Sequence, residues 1–342
     1  MNSIFDPHVI WFGLVGVLLT GYAILEGFDF GIGSLHLFAK GDEERRRLLN
    51  VIGPVWDANE VWLVAGGGAL FAAFPEAYAT VFSAFYPAFM LFLFALILRA
   101  AAIEFRSKLA MPRWRGLWDF VFSASSILAC VLLGVAAGNL ARGIPLDRQG
   151  EFTGSFISLL NPYSLLTGVT ALSVFMLHGA LYAAVKTEGL LHRRATTWVT
   201  RSLVFFCVCF AMTSVSTVLF VPNMTAPLRA NPVLWLLPAL AVYATGNIFR
   251  ETRAGLYGRA FLSSAAVILL LMALFGAGLF PYLVYSRSAP QFSLTLMNAS
   301  SSLTTLSTML WVAAAGLPLV ALYSCLMYRT FRGKVRLDSA SY

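Results

Sequence analysis

Nine long apolar runs follow one another through this 342-residue chain, at about 9–38, 50–74, 79–104, 118–140, 160–186, 200–221, 232–250, 259–284 and 302–328. Each is about as long as a helix needs to cross the hydrocarbon of a bilayer, roughly 20 residues. Backbone polar groups in hydrocarbon must be satisfied internally, so only helices and closed barrels can span a membrane. The runs are continuous rather than alternating, which excludes the barrel. The fold expected is an all-α polytopic membrane protein with nine transmembrane helices. Composition agrees: 59% of residues are hydrophobic and 12% charged, against about 25% charged in a soluble domain.

The formal charge of +8 could suggest nucleic-acid binding, but the placement of charge rejects it. The basic residues lie in short clusters between apolar runs instead of forming one phosphate-binding face. The loops around 40–47, 99–115, 186–201 and 250–259, with the tail 329–336, hold 20 of the 24 lysines and arginines. Arg142, Arg148, Arg229 and Arg287 are left for the opposite face. This asymmetry predicts an N-terminus outside and a C-terminus in the cytoplasm. The first span is expected to remain as a signal-anchor, because no small-residue cleavage site follows it. The four cysteines, all in apolar runs without a C-x-x-C spacing, read as small buried hydrophobes, with Cys207 and Cys209 on different sides of one helix.

Charge inside the spans is the unusual feature. Glu26, Asp29, Asp57, Glu60, Arg99 and Glu104 lie within or at the edge of apolar segments. Ionised groups at such depth face a bundle interior, a water path or a partner. Span direction places all six in the cytoplasmic half of the membrane. Glu26 and Asp29 are three residues apart on one helix face, as are Asp57 and Glu60. Carboxylates paired this closely in a low dielectric favour holding a proton, unless a cation such as Arg99 sits between them. Two readings follow: a cytoplasm-facing proton path with Asp57 deepest, or a set of salt bridges that holds the helices together.

Haem in this chain would require axial ligands from facing helices. His8 and His192 belong at surfaces, which leaves His36 and His178 as a two-histidine pair or as hydrogen-bonded residues. No dinucleotide, P-loop, zinc or serine-nucleophile motif is present. Gly27, Gly31 and Gly33 suit close helix approach. The Gly66-Gly67-Gly68 run predicts a close contact or a local irregularity, and Ser286–Ser302 reads as an outer loop with a short surface helix. Thr20-Gly21 and Thr167-Gly168, each followed by an apolar run and a histidine, form a weak internal echo. It suggests a first four-helix bundle over 1–140, a second over 160–284, a peripheral ninth helix at 302–328 and a cytoplasmic tail at 329–342.

Several stretches together resemble subunit II of the cytochrome bd-type quinol oxidases, close to their cyanide-insensitive branch. They are Leu25-Glu-Gly-Phe-Asp-Phe-Gly-Ile-Gly33, Asn50-Val-Ile-Gly-Pro-Val-Trp-Asp-Ala-Asn-Glu-Val-Trp-Leu63 and Gly66-Gly-Gly-Ala-Leu-Phe-Ala-Ala-Phe-Pro75. Phe85-Tyr86, Arg99, Glu104-Phe-Arg-Ser-Lys108, Trp118-Asp119 and Gly138-Asn139 extend the match. Two positions depart from it: Glu26 where aspartate is common, and Ala58 where glycine is common after Trp-Asp.

The resemblance implies two four-helix bundles plus one helix, in the bacterial inner membrane. It implies a complex that oxidises quinol and reduces dioxygen to water, with two b haems and one d haem in a partner, subunit I. A single-helix small subunit and bound lipid are further expected partners. It implies no catalytic residue and no metal ligand in this chain, and a proton route through Asp57 and Asp29. In some members a structural quinone sits in this subunit, with Trp56 the candidate ring beside it. The alternatives from other classes are a proton-coupled secondary transporter and a purely structural scaffold.

Overall fold

The computed structural model describes residues 6–337 and is built almost entirely of helix. In chain order these are α1 (Pro7–Leu35), α2 (Gly41–Ile52), α3 (Trp56–Ala73), α4 (Pro75–Ala84), α5 (Tyr86–Phe105) and α6 (Pro112–Arg142). There follow α7 (Pro162–Lys186), α8 (Gly189–Phe220), α9 (Pro222–Ala230), α10 (Leu236–Arg253), α11 (Tyr257–Leu279) and α12 (Leu303–Thr330). Among the described residues eight helices are singly long and apolar enough to cross a membrane, and a ninth span results when α3 and α4 are counted together. The end of the expected tail, beyond residue 337, lies outside the described residues.

Proline sets many of the helix starts. Pro7, Pro75, Pro112, Pro162 and Pro222 stand in first turns, where the missing N–H costs nothing because that group has no helical partner. The same device corrects two expected boundaries. Residues 79–84 do not begin the third span: Pro75 opens the separate helix α4, bent 120° from α3, and the span starts beside Pro87. Residues 50–52 do not begin the second span either. They end α2, which turns Leu48, Leu49, Val51 and Ile52 inward, and the turn at Gly53 and Pro54 separates it from α3.

The eighth span stops at Leu279, short of the expected 284. Tyr282–Val284 (β1) instead pairs antiparallel with Leu294–Thr295 (β2), and a short 3-10 turn at Pro290–Phe292 lies between them. This hairpin joins the 143–160 segment in a cap: Ile144 N donates to Tyr285 O at 3.0 Å and Arg287 N to Ile144 O at 3.0 Å. Ile144, Leu146, Leu159, Val284 and Leu296 bury against Phe74 and Phe85 beneath it.

Helix α1 is central and touches α3, α6, α7 and α11. Its approach to α7 depends on glycine. A Cβ on Gly31 would overlap the backbone carbonyl of Phe175, and one on Gly179 would meet the backbone at Gly31 and Ile32. Gly134, Gly138 and Gly168 do the same for α6 and α7. Small residues allow helices in lipid to gain van der Waals contact that water exclusion cannot supply there. The glycine triplet behaves differently: α3 stays helical through it, only Gly66 faces a neighbour (Leu19), and Gly67 and Gly68 face open space. Of the cysteines, Cys130 and Cys209 are buried, whereas Cys207 and Cys325 are exposed, against the expectation that all four are buried.

The ends carrying most of the basic residues share one face. Asp42 of α2 receives Arg106 at 2.9 Å and Arg115 at 2.8 Å, Arg194 pairs with Glu44 at 3.0 Å, and Lys186 donates to the carbonyl of Phe331 at 2.6 Å. At the other end, Thr80 bonds to Gly150 O at 3.0 Å and Ser301 to Ala72 O at 2.7 Å.

Gly31→Val should keep the chain from accumulating in membranes, because the Phe175 carbonyl cannot yield. Gly67→Ala, in open space, should raise the melting temperature slightly, worth up to about 1 kcal/mol of helix propensity. Membrane abundance and thermal unfolding of the purified protein distinguish the two.

Candidate functional site

Arg99, on α5, is the centre of the interior charge. Its side chain is almost wholly buried, as are those of Glu26 and Asp29 on α1. Arg99 Nη1 contacts Glu26 Oε1 directly and lies 3.2 Å from Glu60 Oε1 of α3, while Nη2 is 3.9 Å from Asp29 Oδ2. The guanidinium also lies over the ring of Phe30, 4.8 Å from its centroid. Helical spacing explains the convergence: Glu26 and Asp29 are one turn apart and project from the same side of α1. A single cation thus meets three carboxyl groups from two other helices.

Of the six charged residues picked out by sequence, the fold brings together Glu26, Asp29, Glu60 and Arg99. Asp57 and Glu104 stay outside the cluster: Asp57 is exposed in the first turn of α3, one turn from Glu60, and Glu104 is exposed near the end of α5. The deepest carboxylates are therefore Glu26 and Asp29, and Asp57 is not the deepest, because α3 begins only at Trp56 and leaves its first turn at the rim. Trp56 is half-buried and packs against the core.

Two further residues were not legible as site residues. Asn59 Nδ2 donates to Asp29 Oδ2 at 2.7 Å and to Leu25 O at 3.1 Å. Its Oδ1 accepts from the Tyr328 hydroxyl at 2.8 Å. A hydrogen-bonded string thus joins Asp29 to the last turns of α12, 269 residues away from Asn59 in sequence. Trp62 Nε1 fastens the same helix by donating to Ser324 Oγ at 3.1 Å. Asn59 stands between Asp57 and Glu60 in the run quoted above, which is its one local signal; Tyr328 has none.

A second network lies at the basic face. Asp119 Oδ1 is 2.6 Å from His36 Nε2 and from Arg106 Nε, and its Oδ2 is 3.1 Å from Arg106 Nη2 and 3.0 Å from Arg45 Nη1. Here cations outnumber the carboxylate they surround. The two networks differ in balance: one arginine among three acids in the interior, and at the end of the bundle Asp119 and Asp42 among Arg45, Arg106 and Arg115.

The two interior histidines, His36 and His178, are both held by hydrogen bonds. His178 has both ring nitrogens engaged, with Ser264 Oγ at 2.6 Å and Ile24 O at 3.1 Å, and it stacks on Phe261 with centroids 4.4 Å apart. His36 Nε2 bonds Asp119, its Nδ1 is buried without a partner, and its ring packs edge-on to Phe122. No group of three or more His, Cys, Asp or Glu side chains among the described residues is arranged to hold a metal ion.

Fold and site together define a multi-pass helical membrane protein with a buried, partly charge-compensated acidic interior. The model of the family described as cytochrome bd terminal oxidase subunit II matches residues 7–331. The chain belongs to that family. It is 35% identical to cytochrome bd-I ubiquinol oxidase subunit 2 of Escherichia coli K12, with 95% of this chain and 94% of the relative covered. It is 36% identical to cytochrome bd ubiquinol oxidase subunit 2 of Bacillus subtilis 168, with 96% of each covered. The chain also matches a solved structure described as that of bd oxidase from Geobacillus thermodenitrificans. That match has a TM-score of 0.78, 16% identity, and coverage of 95% and 98%, a likeness of fold.

Arg99→Met should be severely destabilising, by about 3–5 kcal/mol, because it leaves buried acids without their cation. Adding Glu26→Gln to it should recover part of the loss. Yield and melting temperature of the purified complex measure both.

Proposed function

We propose that this chain is the haem-free subunit of a membrane quinol:oxygen oxidoreductase, and that it supports assembly and delivers protons from the cytoplasm for reduction of dioxygen to water. The redox centres, two b haems and a d haem, belong in this reading to subunit I, with quinol and dioxygen as substrates of the complex. A single-helix small subunit completes it, in the bacterial inner membrane with the basic face toward the cytoplasm. The two halves, 1–140 and 160–284, are read as related four-helix bundles flanked by the ninth helix. A structural quinone beside Trp56 belongs to the same reading. Family membership sets the transporter reading aside.

One observation carries the proton role: a single buried guanidinium faces three carboxyl groups, of Glu26, Asp29 and Glu60. Charge balance in a low dielectric needs one carboxylate as counter-ion, so the other acids are groups that hold and exchange protons. Their surroundings lead outward. Asp57 stands exposed one turn from Glu60, and Asn59 and Tyr328 link Asp29 toward the basic face. Protons taken from that side for oxygen chemistry, with quinol protons released on the other, would separate charge by the placement of entry and exit.

Asp29→Asn and Glu26→Gln keep shape and remove the titrating group. Each should assemble with full haem content while oxygen consumption per haem falls by about tenfold or more, with Asp57→Asn as the companion at the rim. Full haem with undiminished oxygen reduction in all three would end the proton reading. Loss of the assembled complex would assign the cluster to structure alone.

A further inference from the structure

Two adjoining open cavities, of about 450 and 410 Å³, lie at the basic end of the bundle, and Thr197 and Arg201 line both. Arg253, Thr252 and Tyr257 close one side and Arg193 the other. Arg194 also reaches the second cavity, but it is neutralised by Glu44 at 3.0 Å. Arg193, Arg201 and Arg253 have no carboxylate within ion-pair distance among the described residues. Arg253 is held over the ring of Phe249, 4.0 Å from its centroid. Thr252 Oγ1 is shielded from solvent and has no hydrogen-bond partner. The pocket thus presents uncompensated guanidinium groups, donors that bind phosphate oxygens.

Its depth relative to the membrane follows from helix lengths. Helix α8 is 32 residues long, about 48 Å, and must project beyond the hydrocarbon. After Arg201 it carries no charge through Phe220, a stretch of about 28 Å. Arg250 and Arg259 stand at the corresponding ends of the apolar parts of α10 and α11. The cavity therefore lies at the boundary between headgroups and hydrocarbon. Directly beyond Arg201, Val204 and Val208 are exposed on α8, and Phe249 is exposed on α10. Charged donors thus give way within one turn to an apolar wall.

The geometry points to a binding site for an anionic phospholipid, with its phosphodiester on Arg201 and Arg253, and its acyl chains along Val204, Val208 and Phe249. A soluble phosphate compound would use the arginines but leave the apolar wall without a purpose. A zwitterionic lipid would use the wall but leave the surplus positive charge unmatched. Basic pockets between spanning helices on the positively charged side of a membrane protein hold such headgroups by the same physics.

The test uses the purified, detergent-solubilised complex, stripped of lipid and titrated with dioleoylphosphatidylglycerol or dioleoylphosphatidylcholine, with bound lipid counted by native mass spectrometry. The wild type should bind at least one phosphatidylglycerol in preference to phosphatidylcholine. R201Q/R253Q should weaken that binding by about thirtyfold, given the usual contribution of each basic residue. R201K/R253K should stay close to the wild type, and R287Q, on the opposite face, should change nothing. Equal retention by the Gln pair and the wild type, or equal binding of the two lipids, overturns the proposal. Displacement of phosphatidylglycerol from the wild type by millimolar inorganic phosphate overturns it in favour of a soluble anion, a result that needs no variant to fold.

Discussion

The cost of an unpaired charge in a low dielectric governs this structure. Arg99 cannot sit buried among apolar helices unless a carboxylate reaches it, and Glu26, Asp29 and the partly exposed Glu60 all converge on it. Because the partners come from α1, α3 and α5, satisfying them fixes the axial register and rotation of these helices together. A slip of one residue on α1 would turn Glu26 and Asp29 away from the guanidinium by about 100°. Hydrophobic matching alone cannot supply that restraint, since lipid tails are as apolar as the helix faces.

Close packing is the complementary restraint. Gly31 and Gly179 let α1 and α7 approach to backbone contact, and Gly134, Gly138 and Gly168 do so for α6 and α7. These approaches bury Phe28, Phe30 and Phe175 beside the charged cluster and make one apolar surround that includes residues of α1, α7 and α11. Glu60 stays partly exposed at the edge of the cluster, and Asn59 and Tyr328 give Asp29 a polar connection to the end of α12. The network at Asp119 works differently. With two arginines and a histidine around it, that carboxylate ties α1, α2, α5 and α6 together at the basic face.

Legibility differed by the kind of signal. Span number and the grouping of basic loops were readable because hydrocarbon thickness and the cost of moving charge across it act on the linear chain. The role of Gly31 was readable for the same reason: a glycine run in a span has few uses other than helix approach. The 120° bend after α3 was hidden, because Pro75 reads equally as a loop residue and as the first residue of a new helix. The rim position of Asp57 was hidden because α3 begins at Trp56, after the turn at Gly53 and Pro54 and six residues beyond the expected start of the span. Cys207 and Cys325 show the matching limit, since an apolar run says nothing about whether a side chain faces protein or lipid.

By itself, the sequence determined that this chain crosses a membrane about nine times, that its charge is asymmetric, and that acids and an arginine lie within the spans. Those properties depend on solvation free energy, which each segment carries independently of its neighbours. Only the tertiary structure decided which acids meet Arg99, that Asp119 collects His36, Arg45 and Arg106, and that Tyr328 reaches Asn59. Such contacts depend on helix rotation and crossing. Those are set by pairwise packing between segments 13 to 269 residues apart, so no local pattern encodes them.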